Sequence, residues 1–354
     1  MSFKVAFIGT GPEPDNPVWG ESAAMAYRHA DGYQRLSNCR LHACADIVRE
    51  NATAFADEFG IPHQNVFENF DEMLQKTEPD IVSIATPVPT HADIVIDAAK
   101  TDVVTAIHCE KPMANTWRDS KQMTTVCKMH DVQLTFNHQR RFAPEWRHAK
   151  KILEEGVVGE LKRVEMSAKN LFDWGTHLID LANFYNDERD PEWVMGGLDY
   201  RVEDIRYGSH NENQAMALWR YDNGVHGLCS TGSQNFGPDL VGCKHRLDCT
   251  EGMIEVAGKE NLRYRPVGDE EWTTVDIVSN NAVAKGIEHI VKCIDNGTDP
   301  ELSADNALRA MELIFGAYES VRARRRVEFP LDIDDNPLQE MVEAGELHPH
   351  PNGN

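Results

Sequence analysis

Basic residues are scarce in this chain of 354 residues: 35 Lys and Arg stand against 58 Asp and Glu, a formal charge of −23 at pH 7. So acidic a surface repels phosphate backbones and anionic lipid, which argues against nucleic-acid binding and against a membrane-surface role. No apolar run is long enough to cross a bilayer. Met1-Ser2-Phe3-Lys4 leads straight into an apolar strand, with no hydrophobic leader or cleavage site, so a cytoplasmic protein is expected. Cys-x-x-Cys is absent. The eight cysteines, Cys39, Cys44, Cys109, Cys127, Cys229, Cys243, Cys249 and Cys293, are scattered through apolar runs and read as buried free thiols rather than disulfides or zinc ligands. His348 and His350 belong to a polar end, His-Pro-His-Pro-Asn-Gly-Asn, and no metal site is expected. The carboxylate excess has two readings: a salt-adapted cytoplasm, toward which the shortage of lysine leans, or an ordinary acidic protein.

What is present is enough apolar residue, 41%, to bury the cores of two domains. The first part alternates apolar strand runs (4–8, 41–45, 81–85, 103–108, 132–136) with helical patterns (47–59, 71–76, 91–100, 117–130). That rhythm predicts a Rossmann-like, doubly wound parallel sheet over residues 1–136, covered by helices on both faces. The pattern then changes. A linking helix from Pro144 to Leu153, a strand at 161–168 and a helix at 174–185 lead into repeated strands and turns, with an Asn223-Gly224 hairpin turn and closing helices at 282–296 and 304–324. This is an α+β domain over 137–330 with an open, mainly antiparallel sheet. Its open face suits pairing of subunits, as a homodimer or homotetramer. Residues 331–354 read as an acidic, Pro-rich tail.

Val5-Ala6-Phe7-Ile8 ends in Gly9-Thr10-Gly11. The first glycine makes a tight turn, and the second lets the backbone approach a pyrophosphate held at a helix N-terminus. The third small residue does not follow at the usual offset, because Pro14 stands there. Pro12–Pro17 reads as an inserted loop, and the helix pattern resumes near Ser22–Tyr33, with Ala24 or Ala26 as the close-packing residue. Asp46 ends the second strand. An acid there accepts from ribose hydroxyls and repels a 2′-phosphate, favouring NAD over NADP. It can equally cap the next helix, and Arg49 is a possible phosphate partner one turn on.

Ile84-Ala85-Thr86-Pro87 with His91, then Cys109-Glu110-Lys111-Pro112, then Phe136-Asn137-His138-Gln139-Arg140-Arg141-Phe142, then Asp173-Trp174-Gly175-Thr176-His177-Leu178-Ile179-Asp180 follow one another in order. Together they resemble the glucose-fructose oxidoreductase/inositol dehydrogenase (Gfo/Idh/MocA) family, Glu-Lys-Pro being the most specific mark. The resemblance implies hydride transfer between a nicotinamide cofactor and a carbinol or carbonyl carbon of a sugar, sugar acid or inositol-like polyol. It implies Lys111 as the catalytic lysine, Asp173 and His177 in the substrate pocket, and Thr86, Pro87, His91, Glu110 and Gln139 along the cofactor with Gly9, Thr10, Gly11 and Asp46. Only Lys169-Asn170-Leu171-Phe172 separate the strand at 161–168 from Asp173, where relatives carry a longer covering segment. The pocket is then more open, or is covered by a neighbouring subunit. Asn170 and Trp174 are further candidate substrate contacts, Trp174 by stacking on a sugar ring or, equally, as a core residue.

The chemistry suits these residues. Removing hydride from a carbinol leaves a hydroxyl proton, and a base must take it. A lysine desolvated beside a cationic ring resists a second positive charge and so becomes a usable base. Asp173 and His177 share a helix face at i, i+4. His177 is open to three readings, relay, base or core-edge histidine; Asp173 likewise to three, substrate binding, imidazole support or helix cap. Two alternatives stand beside a releasing dehydrogenase: a dinucleotide-binding regulator without turnover, and an enzyme that oxidises and reduces around one tightly held cofactor.

Overall fold

The computed structural model describes residues 2–12, 25–232, 240–256 and 262–351. The inserted loop expected at 13–17, and Ser22 and Ala24 of the expected helix start, lie outside the described residues. The chain forms two compact units: Met1–Asn115, Asp119–Gln139 and Asn281–Ala307 make one, and Thr116–Arg118, Arg140–Asn280 and Leu308–Asn354 the other.

The first unit holds strands β1 (Phe3–Ile8), β2 (Cys39–Ala45), β3 (Val66–Phe67), β4 (Ile81–Ile84), β5 (Ala106–Cys109) and β6 (Gln133–Phe136) with helices α1 (Met25–Gln34), α2 (Arg49–Phe59), α3 (Phe70–Thr77) and α4 (His91–Ala99). The helix α5 (Trp117–Met129) follows β5. All sheet pairs are parallel, in the order β3-β2-β1-β4-β5-β6. This is the Rossmann order, whose crevice opens at the carboxyl ends of β1 and β4. Val5, Ala6, Phe7, Val82 and Ile107 are fully buried, as a sheet covered on both faces requires. The unit is completed by α8 (Ala282–Asn296). Sequence reading grouped this helix with the second domain. Its amphipathic pattern fixed its bounds but not its partner, which is α1: a Cβ on Gly32 would come within 2.6 Å of Ile287 Cδ1. Asn281 and Asn38 bond across this pair to Asp31 and Asp295, at 3.1 and 2.8 Å.

The second unit carries α6 (Pro144–Glu154), β7 (Leu161–Ala168), α7 (Gly175–Tyr185), β8 (Pro191–Asp199), the small pair β9 (Ile205–Arg206) and β10 (Ser209–His210), then β11 (Gln214–Tyr221), β12 (His226–Thr231), β13 (His245–Cys249), β14 (Gly252–Val256), β15 (Leu262–Pro266), β16 (Thr273–Val275), α9 (Ala304–Ala323, most of it in this unit), β17 (Val327–Glu328) and α10 (Pro337–Glu343). Nine strands form one open sheet, β16-β15-β14-β13-β7-β12-β11-β8-β17, antiparallel except between β7 and β12. The Asn223-Gly224 hairpin forms, with Gly224 at φ +85°. One face carries exposed Met195, Met216 and Leu218 on β8 and β11. Farther across, Arg163, Glu165, Arg246, Glu255 and Arg263 form a ladder of ion pairs at 2.5–3.1 Å.

The segment read as a tail is folded over much of its length. Leu331, Leu338 and Met341 are buried, and Asn336 caps α10 by accepting from Leu338 N at 3.1 Å. Two of its acidic residues find arginines: Arg118–Asp334 at 3.1 Å and Arg322–Asp335 at 2.6 Å. A few well-spaced apolar residues outweigh the acidic composition. All eight cysteines are unbridged, and all but Cys39 are buried. Among the described residues, no helix is long and apolar enough to cross a membrane.

Candidate active site

In the first unit, β1 runs into Gly9 and Gly11 at φ +79° and +65°, a left-handed conformation that favours glycine. A Cβ on Gly9 would lie 2.5 Å from Thr86 Cγ2 and 3.0 Å from Thr86 N, so the turn packs directly on the end of β4. Asp46 organises it. Oδ2 accepts from Gly11 N–H at 2.9 Å and Thr10 Oγ1–H at 3.2 Å, while Oδ1 accepts from Val48 N–H at 2.9 Å. The carboxylate thus tethers the glycine turn and serves the approach to α2, where Val48 holds the cap position without a side-chain bond.

Past β4, Thr86 accepts from Thr90 Oγ1–H at 2.8 Å. His91 is fully buried, with Nε2 at 2.9 Å from Thr86 O and Nδ1 at 3.1 and 3.2 Å from the carbonyls of Pro112 and Met113. It joins the ends of β4 and β5 on either side of Pro87 and Lys111. Burial pushes its imidazole down, against those carbonyl bonds. Glu110 follows β5 and is nearly buried; Oε1 accepts from His29 Nε2–H at 3.0 Å and Asn137 Nδ2–H at 2.6 Å. Burial alone would push this carboxyl up. The bond and charge of His29, then the Lys111 ammonium and the Asn137 amide, hold it at about 2. Lys111 is half-buried.

These residues fit a dinucleotide. The glycine turn, the acid ending β2 and the Glu-Lys pair after β5 all lie at the carboxyl edge of a Rossmann-order sheet, where such ligands bind. Gln139, after β6, keeps a buried Oε1 with no hydrogen-bond partner among the described residues.

In the second unit, the short stretch after β7 sets up α7. Asn170 Oδ1 accepts from Trp174 N–H and its carbonyl from Gly175 N–H, both at 2.8 Å. A Cβ on Gly175 would meet Asn170 O at 2.9 Å. Trp174, not Asp173, occupies the cap position. Asp173 N–H donates to Asn211 Oδ1 at 3.1 Å, and Leu171 N–H to Glu212 Oε1 at 2.7 Å. Asp173, just before the cap of α7, and His177, in its first turn, are both nearly buried. The Trp174 ring carries Arg140 Cζ at 5.5 Å and Lys169 Nζ at 4.5 Å from its centroid, a cation–π arrangement. Burial pushes the Arg140 guanidinium down to about 10, opposed by Glu145 and Asp173. Beneath, fully buried Arg141 grips Asp180 through Nε and Nη2, each at 2.7 Å, and Glu188 at 2.6 Å.

Comparison with known proteins decides the family. Residues 3–138 match the model of the GFO/IDH/MocA oxidoreductase family with its NAD-binding Rossmann fold, and residues 168–255 match a GFO/IDH/MocA C-terminal domain. A D-xylose 1-dehydrogenase [NADP(+)] of Haloarcula marismortui is 35% identical over 316 residues, covering 80% of this chain and 84% of that protein. The chain belongs to the GFO/IDH/MocA oxidoreductase family. A D-apiose dehydrogenase of Paraburkholderia graminis is 25% identical over 92% of this chain and 89% of that one. An Agrobacterium radiobacter oxidoreductase, solved with NAD+, L-tartaric acid and magnesium, superposes with a TM-score of 0.76 at 20% identity, over 93% of this chain and 98% of that one. An aldose-aldose oxidoreductase of Caulobacter crescentus gives 0.75 at 21% identity, over 93% and 100%. As a GFO/IDH/MocA member, the chain is an NAD(P)-dependent oxidoreductase of CH–OH groups.

Within this GFO/IDH/MocA fold, the first unit gathers Gly9, Thr10, Gly11, Asp46, Thr86, Pro87, His91, Glu110, Lys111 and Gln139 at one edge of the sheet, and the second sets Asn170, Asp173, Trp174 and His177 at the start of α7. Sequence reasoning missed His29, Asn211 and Glu212. Asn211-Glu212-Asn213, three polar residues at the head of a strand, were the available signal. Glu212 is buried and also accepts from Thr231 at 3.0 Å and Tyr318 at 2.6 Å. Burial pushes its carboxyl up to about 7, against those bonds.

Proposed function

We propose that the chain is an NAD-preferring dehydrogenase of a sugar or sugar-like polyol, in which Lys111 and His177 handle the hydroxyl proton and Asp173 holds a substrate hydroxyl. The observation that carries this reading is Lys111 directly after Glu110, a carboxylate held by His29 and Asn137 at 3.0 and 2.6 Å, at the carboxyl edge of the Rossmann sheet. Relatives named for D-xylose, D-apiose and inositol support the substrate class. A bound nicotinamide would supply the hydride acceptor for the carbinol carbon, held by the residues at the carboxyl edge of the first unit's sheet. Lys111 Nζ or the His177 imidazole takes the proton as the carbonyl forms, so one C–H and one O–H bond break for each carbonyl made. Trp174, stiffened by its two cations, offers a flat apolar surface to a sugar ring. NADH absorbance with a panel of aldoses, sugar acids and inositols tests the reading. Turnover on at least one member is expected. Tight NAD binding with turnover on none would support the regulator instead.

The preference for NAD rests on Asp46. Its charge opposes a 2′-phosphate, and Arg49, the nearest candidate to offset it, lies 4.0 Å from Glu68. The ratio of kcat/KM for NADP to that for NAD is expected to rise about tenfold or more in Asp46→Ser. A wild-type enzyme that already prefers NADP would overturn the assignment.

The protein is further proposed to act in the cytoplasm as a homodimer or homotetramer that pairs through the open sheet, where Met195, Met216 and Leu218 are exposed. At a net charge of −23, repulsion between carboxylates strengthens as salt is removed. Its melting temperature is expected to rise steadily from dilute buffer to molar salt. An equal melting temperature at both extremes would remove the case for salt adaptation.

A further inference from the structure

A buried polar cluster of the first unit lies between α1 and the end of β5. His29, on α1, is completely buried, with Nδ1 at 2.9 Å from Ser83 Oγ on β4 and Nε2 at 3.0 Å from Glu110 Oε1. An ionised carboxylate only accepts, so Nε2 carries the proton and donates. Asn137, just past β6, donates to the same oxygen at 2.6 Å. Three strands and one helix therefore converge on a single carboxylate next to Lys111.

We propose that His29 is a positioning residue for dinucleotide binding: by donating to Glu110 Oε1 from α1, it keeps an ionised, oriented carboxylate beside Lys111 for the cofactor to bond. The inference rests on the assignment of Glu110 to the cofactor. Without its donors, a carboxyl this deeply placed takes up a proton, because burial penalises the charged form. With them it stays at about 2, so Glu110 is charged throughout the physiological range. The other titratable groups near the pair reinforce this arrangement. Lys111 stabilises the carboxylate. His108 of β5, whose ring centroid is 4.8 Å from that of His29, is held neutral, chiefly by burial and then by the neighbouring imidazole. Cys109 is pushed well up by burial and then by the Glu110 charge, and so stays a thiol. His91 of α4 is pushed down by burial, though Glu110 opposes this.

The test is NAD affinity by calorimetry on the full chain from pH 8 to pH 5, which needs no substrate. Wild-type affinity is expected to be flat within about twofold, because Glu110 titrates below this window. In His29→Leu the Glu110 carboxyl loses the two largest contributions that hold it ionised and titrates higher, toward the window. Affinity should then fall as pH drops, by about tenfold per pH unit once below the new pKa. His29→Gln, which restores a donor, should return the profile toward flat. The combination His29→Leu/Glu110→Gln should bind weakly but without pH dependence. If His29→Leu does not fold, His29→Asn, too short to reach Glu110, carries the same expectation. A flat profile in a folded variant lacking the donor overturns the inference. Unchanged NAD affinity in Glu110→Gln overturns instead the assignment of Glu110 to the cofactor.

Discussion

Lys111→Ala is expected to lower kcat by about 10²–10⁴-fold, the range for loss of a positioned acid or base, while NAD affinity changes only a few-fold. The effect should be large because the sheet places Lys111 immediately after Glu110 at the end of β5. His177→Ala separates the two proton-handling roles. If Lys111 is the base and His177 the relay, the His177 variant loses less and shifts its pH profile; if the roles are reversed, the ordering of the two losses inverts. A Lys111→Ala enzyme as active as wild type would remove the lysine from the mechanism.

Arg141→Met is expected to destabilise the second unit by about 3–5 kcal/mol, the cost of removing one member of a buried ion pair. For a unit of this size that corresponds to roughly 6–20 °C in melting temperature. Arg141 and Asp180 are each only 1% exposed, so water does not replace the lost guanidinium. Arg141→Met/Asp180→Leu should recover much of the loss, since the buried pair is then removed as a unit while Glu188 keeps Arg309 at 3.7 Å. Differential scanning calorimetry of the three variants checks both statements. A single variant within about 1 kcal/mol of wild type would show that the pair contributes little. Asp180 lies on α7 one turn past His177, so the same variant should also impair turnover through displacement of that helix.

Some of this was legible in the sequence for identifiable reasons. β7, β13 and α8 have the residue bounds that alternation and helical spacing predict, because each buries one regular face. β3 was not visible: two residues, Val66 and Phe67, are too short to show a period. The folded part of the C-terminal segment was hidden by composition, since a few well-spaced apolar residues decide its packing and two of its acids pair with arginines elsewhere in the chain. At the candidate site, Gly9 and Asp46 are marked by their places at strand ends, and Glu110 and Lys111 by the Glu-Lys-Pro resemblance. His29 is not. Its role depends on Ser83, Glu110 and Asn137, which lie 54 to 108 positions away along the chain, and only pairing in space brings them together. Asn170 shows a related failure. The motif directed attention to Asp173 as a cap, whereas the tight approach of Gly175 lets the asparagine three residues earlier bond the α7 amides.

The return of α8 to pack on α1 bears on how the protein is made. Phe136 N–H donates to Leu302 O at 3.0 Å, and Gln133 Nε2–H to Ile290 O at 3.2 Å, so β6 is finished by chain that comes about 160 residues later. Domains generally fold as units during synthesis, in order from the N-terminus. Here the nucleotide-binding half leaves the ribosome with an apolar groove along α1 and an incomplete edge at β6, and it waits while nearly all of the large sheet is translated. A fragment ending near residue 139 should be soluble only with a helper that covers that groove. Adding residues 281–307 as a separate peptide should restore its stability, a complementation that an uninterrupted domain would neither need nor show.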